Sequence, residues 1–264
     1  MTPQIEFNRT DVVVPARLDA QASIQELLAN RRSPRAFSEQ PIEPDKFLSL
    51  FEAARWSPSS ANEQPWRFIV AGKDDSRTFS ALVESLMEGN RRWAERAPLL
   101  VLALAQSTYA KTGRPYQHSW YDLGQSVALL SVQATALGLA VHQMGGFDAD
   151  KVRQLLSIPE GFEPVIVFAV GYSDQPATLP DDLRKREQAP RSRKPLQDFV
   201  SPRNGESHHP IFKPRTTYSH PHQQNDGEIH ERNHLTRFSR FSMIDIPQPW
   251  IVACSSTHID VTIE

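Results

Sequence analysis

Four short segments of this 264-residue chain combine residue types suited to chemistry. The first, Arg31-Arg32-Ser33-Pro34-Arg35-Ala36-Phe37, sets three arginines within five residues. A guanidinium is a planar fork that suits a phosphate or a carbonyl-rich planar ligand. The same cations also belong at a solvated helix C-terminus, opposite the negative end of its dipole. The second, Pro58-Ser59-Ser60-Ala61-Asn62-Glu63-Gln64-Pro65-Trp66, is a run of small hydrogen-bonding residues ahead of an apolar stretch. Such a loop offers backbone and amide groups to a heteroaromatic ring with mixed donors and acceptors, and it equally has the composition of an ordinary turn. In the third, Gln143-Met144-Gly145-Gly146, glycine lets the backbone approach a ligand or simply turns the chain. The fourth, Arg191-Ser192-Arg193-Lys194-Pro195, carries charge fit to neutralise a phosphate or to solvate a linker.

The elements that must position these segments follow from periodicity. Ser23 is placed to N-cap a helix through about residue 31, with Ile24, Leu27 and Leu28 on one face. Pro44 suits the first turn of a second helix that buries Phe47, Leu48, Phe51 and Ala54 and stops by Ser57-Pro58. Residues 66–71 read as a strand closed by Gly72, after which Asp74 and Asp75 open another helix. The unbroken apolar run 99–105 predicts a strand covered on both faces. Residues 119–137, closed by Gly138, predict a long helix with apolar residues in nearly every direction. Such a helix is buried on all sides, most easily between two subunits. Strands at 139–142 and 164–170 flank a short helix at 148–156. Helices alternating with strands over residues 1–200 predict an α/β (α+β) domain, helices packed on a mixed central sheet.

Charge excludes some functions. With 29 Lys+Arg against 31 Asp+Glu, the net charge of −2 gives no electrostatic footprint for nucleic acid or an anionic membrane. The apolar runs at 99–105 and 165–170 fall far short of the ~18 residues that cross a bilayer, and Val12-Val13-Val14 is too short for a secretory h-region. The single cysteine, Cys254, fits a reducing cytoplasm. Beyond residue 200 lie seven of the nine histidines, in text without apolar period. Residues 201–264 are therefore expected to be a largely disordered His/Pro-rich extension, with alternation returning at 258–263 in a final segment, 244–263, that reads either as a short docked strand or as an apolar tail. His230 and His234 lie outside any convincing helix, so no metal site is expected.

In order and spacing the four segments resemble the FMN-dependent nitroreductase superfamily. There RRSxRxF, PSSxNxQPW, LGLxxxxxGGFD and a late RxRKP follow one another; here they occupy 31–37, 58–66, 137–148 and 191–195. The resemblance spans roughly residues 20–200. It implies a three-layer sandwich and a homodimer with two FMN molecules at its interface. Arg31, Arg32 and Ser33 would hold the phosphate and ribityl chain, with Arg191 and Arg193 joining at the phosphate. Arg35 would face flavin N1 and the C2 carbonyl as the catalytic residue. Pro58, Ser59, Ser60, Asn62 and Gln64 would reach across from the partner subunit, while Met144, Gly145 and Gly146 would pass near the ring. The implied chemistry is ping-pong. NAD(P)H gives hydride to N5, charge develops on N1 and C2=O beside Arg35, and an electron-poor small molecule such as a nitroaromatic or quinone then takes the same face. No G-x-G-x-x-G follows a strand, so NAD(P)H is expected as an electron-donating substrate and not as a resident cofactor. Trp93, Tyr109, Tyr116 and His118 are the aromatic candidates for the open face. Reductive dehalogenation, flavin fragmentation and non-enzymatic FMN binding would use the same flavin-holding residues and stand as alternatives.

Overall fold

Alternation along the apolar run at 99–106 divides the fold into layers. Successive strand side chains point to opposite faces, so Leu100, Leu102 and Leu104 enter one core and Val101, Ala103 and Ala105 another. The computed structural model describes residue 20 and residues 22–200. Along them run α1 (Glu26–Asn30), α2 (Pro44–Arg55), β1 (Trp66–Gly72), α3 (Ser76–Ser85), α4 (Glu88–Ala94), β2 (Leu99–Gln106), α5 (Ser119–Ala136), β3 (Ala140–Met144), α6 (Ala149–Leu155), β4 (Phe162–Gly171) and α7 (Asp181–Gln188). The sheet order is β1-β2-β4-β3. Trp66 pairs with Ala105, Val101 with Phe168 and Val141 with Val170.

Helices α2 and α5 cover one face through Leu50, Ala54, Leu123, Val127, Leu130 and Ala134. On the other face α3, α4, α6 and α7 supply Phe79, Leu82, Trp93, Val152 and Leu183. This is the three-layer sandwich. Each fully buried leucine of β2 contributes on the order of 1.5–3 kcal/mol. One detail departs from expectation: every ladder among the described residues is antiparallel, not mixed. A strand covered on both faces is apolar throughout whatever its direction, so the pattern that revealed β2 carried no information on polarity.

The helices refine the expected faces. Pro44 does open α2, but Leu50 is buried where Leu48 was expected, and Leu48 is exposed. α1 starts only at Glu26, with Gln25 and not Ser23 at its N-cap, and leaves Ile24, Leu27 and Leu28 exposed. Asp75 caps α3 by accepting from the Thr78 N–H, and Asp148 caps α6 through the Lys151 N–H. α5 ends in a Schellman motif: Leu139 N–H donates to Ala134 O and Gly138 N–H to Thr135 O, with Gly138 at φ +73°. Its buried stripe includes Asp122, Leu123, Ser126 and Leu130, whereas Trp120, Tyr121 and Leu129 stand 54%, 70% and 40% exposed. The all-round burial expected of this helix is therefore not met within one chain.

The described residues through Ser192 belong to one compact unit; residues 193–200, with a 3-10 turn at Leu196–Asp198, are the described part of a second. The extension expected at 201–264, its strand and histidines, Cys254 and Val12-Val13-Val14 lie outside the described residues. Among those described, no helix is long and apolar enough to cross a membrane.

Candidate active site

The arginine-rich segment leaves α1 and joins the sheet at a bridge between Phe37 and Ser173. Within it, Arg31 Nη1 donates to Ser33 Oγ at 3.1 Å. Arg191, far along the chain, donates from its two terminal nitrogens to the carbonyls of Arg31 at 3.0 Å and Ala29 at 2.8 Å. Arg191, the first residue of the fourth segment, thus grips the main chain of the first. Arg193 opens the second unit.

Two residues that sequence reasoning missed hold the middle of this segment. His142, on β3, places Nδ1 2.8 Å from Pro34 O. A carbonyl only accepts, so Nδ1 carries the proton. Burial pushes this imidazole down to about 4; the neighbouring cations Arg35 and Arg31 add to the shift, against the Pro34 contact. The ring is neutral at pH 7. Glu187, on α7, accepts the Arg35 N–H at 3.1 Å on each carboxylate oxygen, and its Oε2 lies 3.6 Å from Arg35 Nη1. Its own carbonyl accepts from Arg32 Nη2 at 3.4 Å. Arg35, expected to spend its charge on a ligand, shares that charge with a carboxylate.

A different group of residues anchors the 58–64 loop. Ala61, Asn62 and Gln64 have φ of +53°, +54° and +51°, a conformation costing non-glycine residues on the order of 1–3 kcal/mol each. Ser59 Oγ accepts the Gln64 N–H at 3.0 Å, and Gln64 Nε2 lies 3.3 Å from Asn62 Oδ1. The Ser60 N–H donates to Asp122 Oδ2 at 2.9 Å, and the Ser60 hydroxyl meets Tyr109 Oη at 3.1 Å. Tyr116 donates its hydroxyl to the same Asp122 oxygen. Asp122 is 3% exposed, so these donors are what make a buried carboxylate tolerable. Burial, and then Asp122, raise the Tyr116 phenol above its usual range, which keeps it a donor. Tyr109 and Tyr116 stack at 4.1 Å and 16°. Asp122 had been legible only as an acid at a helix start.

At the end of β3, Met144 is buried in the core, so the residue expected to touch a cofactor presents only its backbone. A Cβ at Gly146 would lie 3.0 Å from Asn90 Nδ2, which donates to the Gly146 carbonyl, so a side chain there would press on that hydrogen bond. The aromatic candidates divide. Tyr109 lines an open recess with Thr112, Arg114 and Pro115. Tyr116 is buried, and Trp93, at 1% exposure, is a core residue set between Phe37 and His142. Trp93 therefore cannot line a substrate face, contrary to expectation.

Comparison with known proteins bears on the family and the fold. A family model described as Nitroreductase family matches residues 28–172. The chain is 35% identical to a crystallised oxidoreductase containing FMN, over 71% of this chain and 96% of that one, with a TM-score of 0.66. It is 25% identical to the "Putative NADH dehydrogenase/NAD(P)H nitroreductase" of Stenotrophomonas maltophilia strain R551-3, over 62% of this chain and 91% of that protein. Iodotyrosine deiodinase 1 of Rattus norvegicus is 27% identical over 61% of this chain and 65% of its own length. With the family model spanning more than half the sequence and enclosing the segments at 31–37, 58–66 and 137–148, the chain belongs to the nitroreductase family.

Proposed function

We propose that this nitroreductase-family oxidoreductase binds FMN at an interface between two copies of the chain, and that it carries hydride from NAD(P)H to a nitroaromatic, quinone or similar electron-poor acceptor in two alternating half-reactions. The observation that carries the reading is the donor set around residues 31–35: the Arg31 guanidinium pre-set against the Ser33 hydroxyl, Arg191 fastened to the same stretch, and Arg35 beside them. Guanidinium forks and a hydroxyl are what a phosphate monoester and a ribityl chain require. Burial is the main cause of the depressed His142, and Arg35 and Arg31, the cations a dianion would meet, add to it. These residues fit FMN.

When bound, FMN supplies a ring that accepts a hydride and later releases it. Arg31, Ser33 and Arg191 bind the phosphate end, with Arg193 proposed beside them. Arg35 sets a cation on the side of the ring that becomes electron-rich. The backbone at Met144, Gly145 and Gly146 borders the ring. Pro58, Ser59, Ser60, Asn62 and Gln64 come from the partner subunit, in keeping with a loop fastened to α5 through Asp122 and with the apolar residues Trp120, Tyr121 and Leu129 that the same helix leaves exposed. The NAD(P)H named for the Stenotrophomonas relative supports the donor, and a reducing cytoplasm belongs to the same reading.

Purified full-length protein is expected to be yellow, to release FMN and not FAD on denaturation, and to oxidise NADH or NADPH faster when nitrofurazone or menadione is added. A colourless protein that takes up no FMN would overturn the reading. Yellow protein inert toward both nucleotides would favour simple flavin binding. The rat relative supports reductive dehalogenation as a second reading, tested by loss of iodide from iodotyrosine under the same reductants.

A further inference from the structure

The peptide unit joining Pro34 to Arg35 is gripped at both ends. Its carbonyl accepts from His142 Nδ1 at 2.8 Å, and its N–H donates to both oxygens of Glu187 at 3.1 Å. Proline fixes its own φ, so the rotation of this peptide plane is the main freedom left to the chain just before Arg35. The two gripping residues are themselves held firmly. His142 lies against the Trp93 ring at 4.4 Å. Glu187 sits on α7, which docks through buried Leu183 and through Asp182, bidentate to Arg92 at 2.9 Å on each contact. The carboxylate that orients the main chain also faces the Arg35 guanidinium at 3.6 Å, with only 10% of the Glu187 side chain exposed.

We propose that Glu187 and His142 are positioning residues of the site, which fix the Pro34–Arg35 peptide and so aim Arg35, and that Glu187 holds back part of the Arg35 charge from the bound flavin. This rests on the FMN reading above. A ligand that gains negative charge on reduction is stabilised in its reduced form by a cation and destabilised by an anion paired with that cation. The Glu187 carboxylate therefore lowers the reduction potential that Arg35 alone would set. Replacing it by an amide removes the anion but keeps an oxygen for the Arg35 N–H.

The test uses the full chain as the wild type, Glu187→Gln, Glu187→Ala and Arg35→Gln. Bound FMN is titrated potentiometrically under anaerobic conditions, and exchange of the Arg35 amide proton is followed by NMR without added flavin. Glu187→Gln should favour reduced over oxidised flavin by three- to tenfold, a rise of about 15–30 mV for a two-electron couple, while Arg35→Gln moves the potential downward. The Arg35 amide should be protected in the wild type and in Glu187→Gln, and lose at least tenfold of its protection in Glu187→Ala. FMN bound by Glu187→Gln at an unchanged or lower potential overturns the charge-sharing proposal and leaves the FMN reading standing. Equal exchange at Arg35 in wild type and Glu187→Ala overturns the positioning role. Failure of the wild type to bind FMN overturns the reading and the proposal together.

Discussion

Replacing His142 by asparagine should flatten the acid side of the stability profile. In the folded chain burial lowers the imidazole from 6.5 to about 4, with Arg35 and Arg31 adding to the effect. Between those values the unfolded chain binds a proton that the folded chain refuses, so stability rises with pH through this window and falls on acidification. The contribution is complete above pH 6.5 and is lost progressively toward pH 4. A gap of that size corresponds to at most ~3.4 kcal/mol, and the part falling between pH 7 and 4.5, discounted for the ring's partial exposure, is about 2 kcal/mol. Asparagine keeps an N–H donor near the position of Nδ1 for Pro34 O but does not titrate. Urea unfolding of the full chain at pH 7 and 4.5, at two fixed FMN concentrations so that ligand linkage is separated, gives the difference directly. Carboxylates contribute equally to both proteins and cancel. If the variant loses as much stability on acidification as the wild type does, the neutral, buried His142 is refuted.

The remaining predictions concern the anchors. Arg191→Ala, which removes the hydrogen bonds to Ala29 O and Arg31 O, should weaken FMN binding roughly ten- to hundredfold, equivalent to ~1.5–3 kcal/mol for charged donors, in a fluorescence titration of flavin-free protein. Tyr116→Phe leaves the buried Asp122 carboxylate one donor short and should cost about 1–3 kcal/mol in denaturant unfolding; a loss within error would show that water replaces the phenol. Gly138→Ala places a side chain at φ +73° with no neighbour to hit, so its cost should be purely conformational, ~1 kcal/mol. Leu129→Glu puts a charge on the exposed strip of α5 and should convert a dimer to a monomer in size-exclusion chromatography; an unchanged elution volume would move the subunit interface elsewhere.

Much of the fold was legible because its signals are local. β2 is apolar throughout, Pro44 marks a helix start, and Gly138 a helix end. α7 escaped notice because Asp181–Gln188 is charged and buries only Leu183, which leaves no periodic stripe to read. Trp93 shows a second limit. A large aromatic residue suits a substrate face and a core equally well, and only its neighbours Phe37 and His142 decide which it serves. Likewise Leu48 and Leu50 are the same residue type two positions apart, which sets them on nearly opposite sides of α2, and only the packing of that helix on the sheet decides which side is buried.

The candidate site was legible in its donors and not in what aims them. Arg31, Ser33, Arg35 and Arg191 advertise themselves by charge and clustering, but Arg35 meets Glu187 across 152 positions and Pro34 meets His142 across 108. A contact that tertiary folding creates leaves no mark in local spacing. The 58–64 loop makes the same point in energetic terms. Asn62 tolerates a positive φ, while Ala61 and Gln64 gain nothing locally from it, so the conformation persists only because Ser59, Asp122 and the Glu63 contact with the Ala110 N–H over-determine it. Those contacts offset a strain of several kcal/mol in a loop that also carries the serines expected to reach a neighbouring subunit. Strain held in place by a buried carboxylate on α5, the helix whose exposed strip is the proposed dimer face, couples the shape of the loop to the surface that would receive the partner.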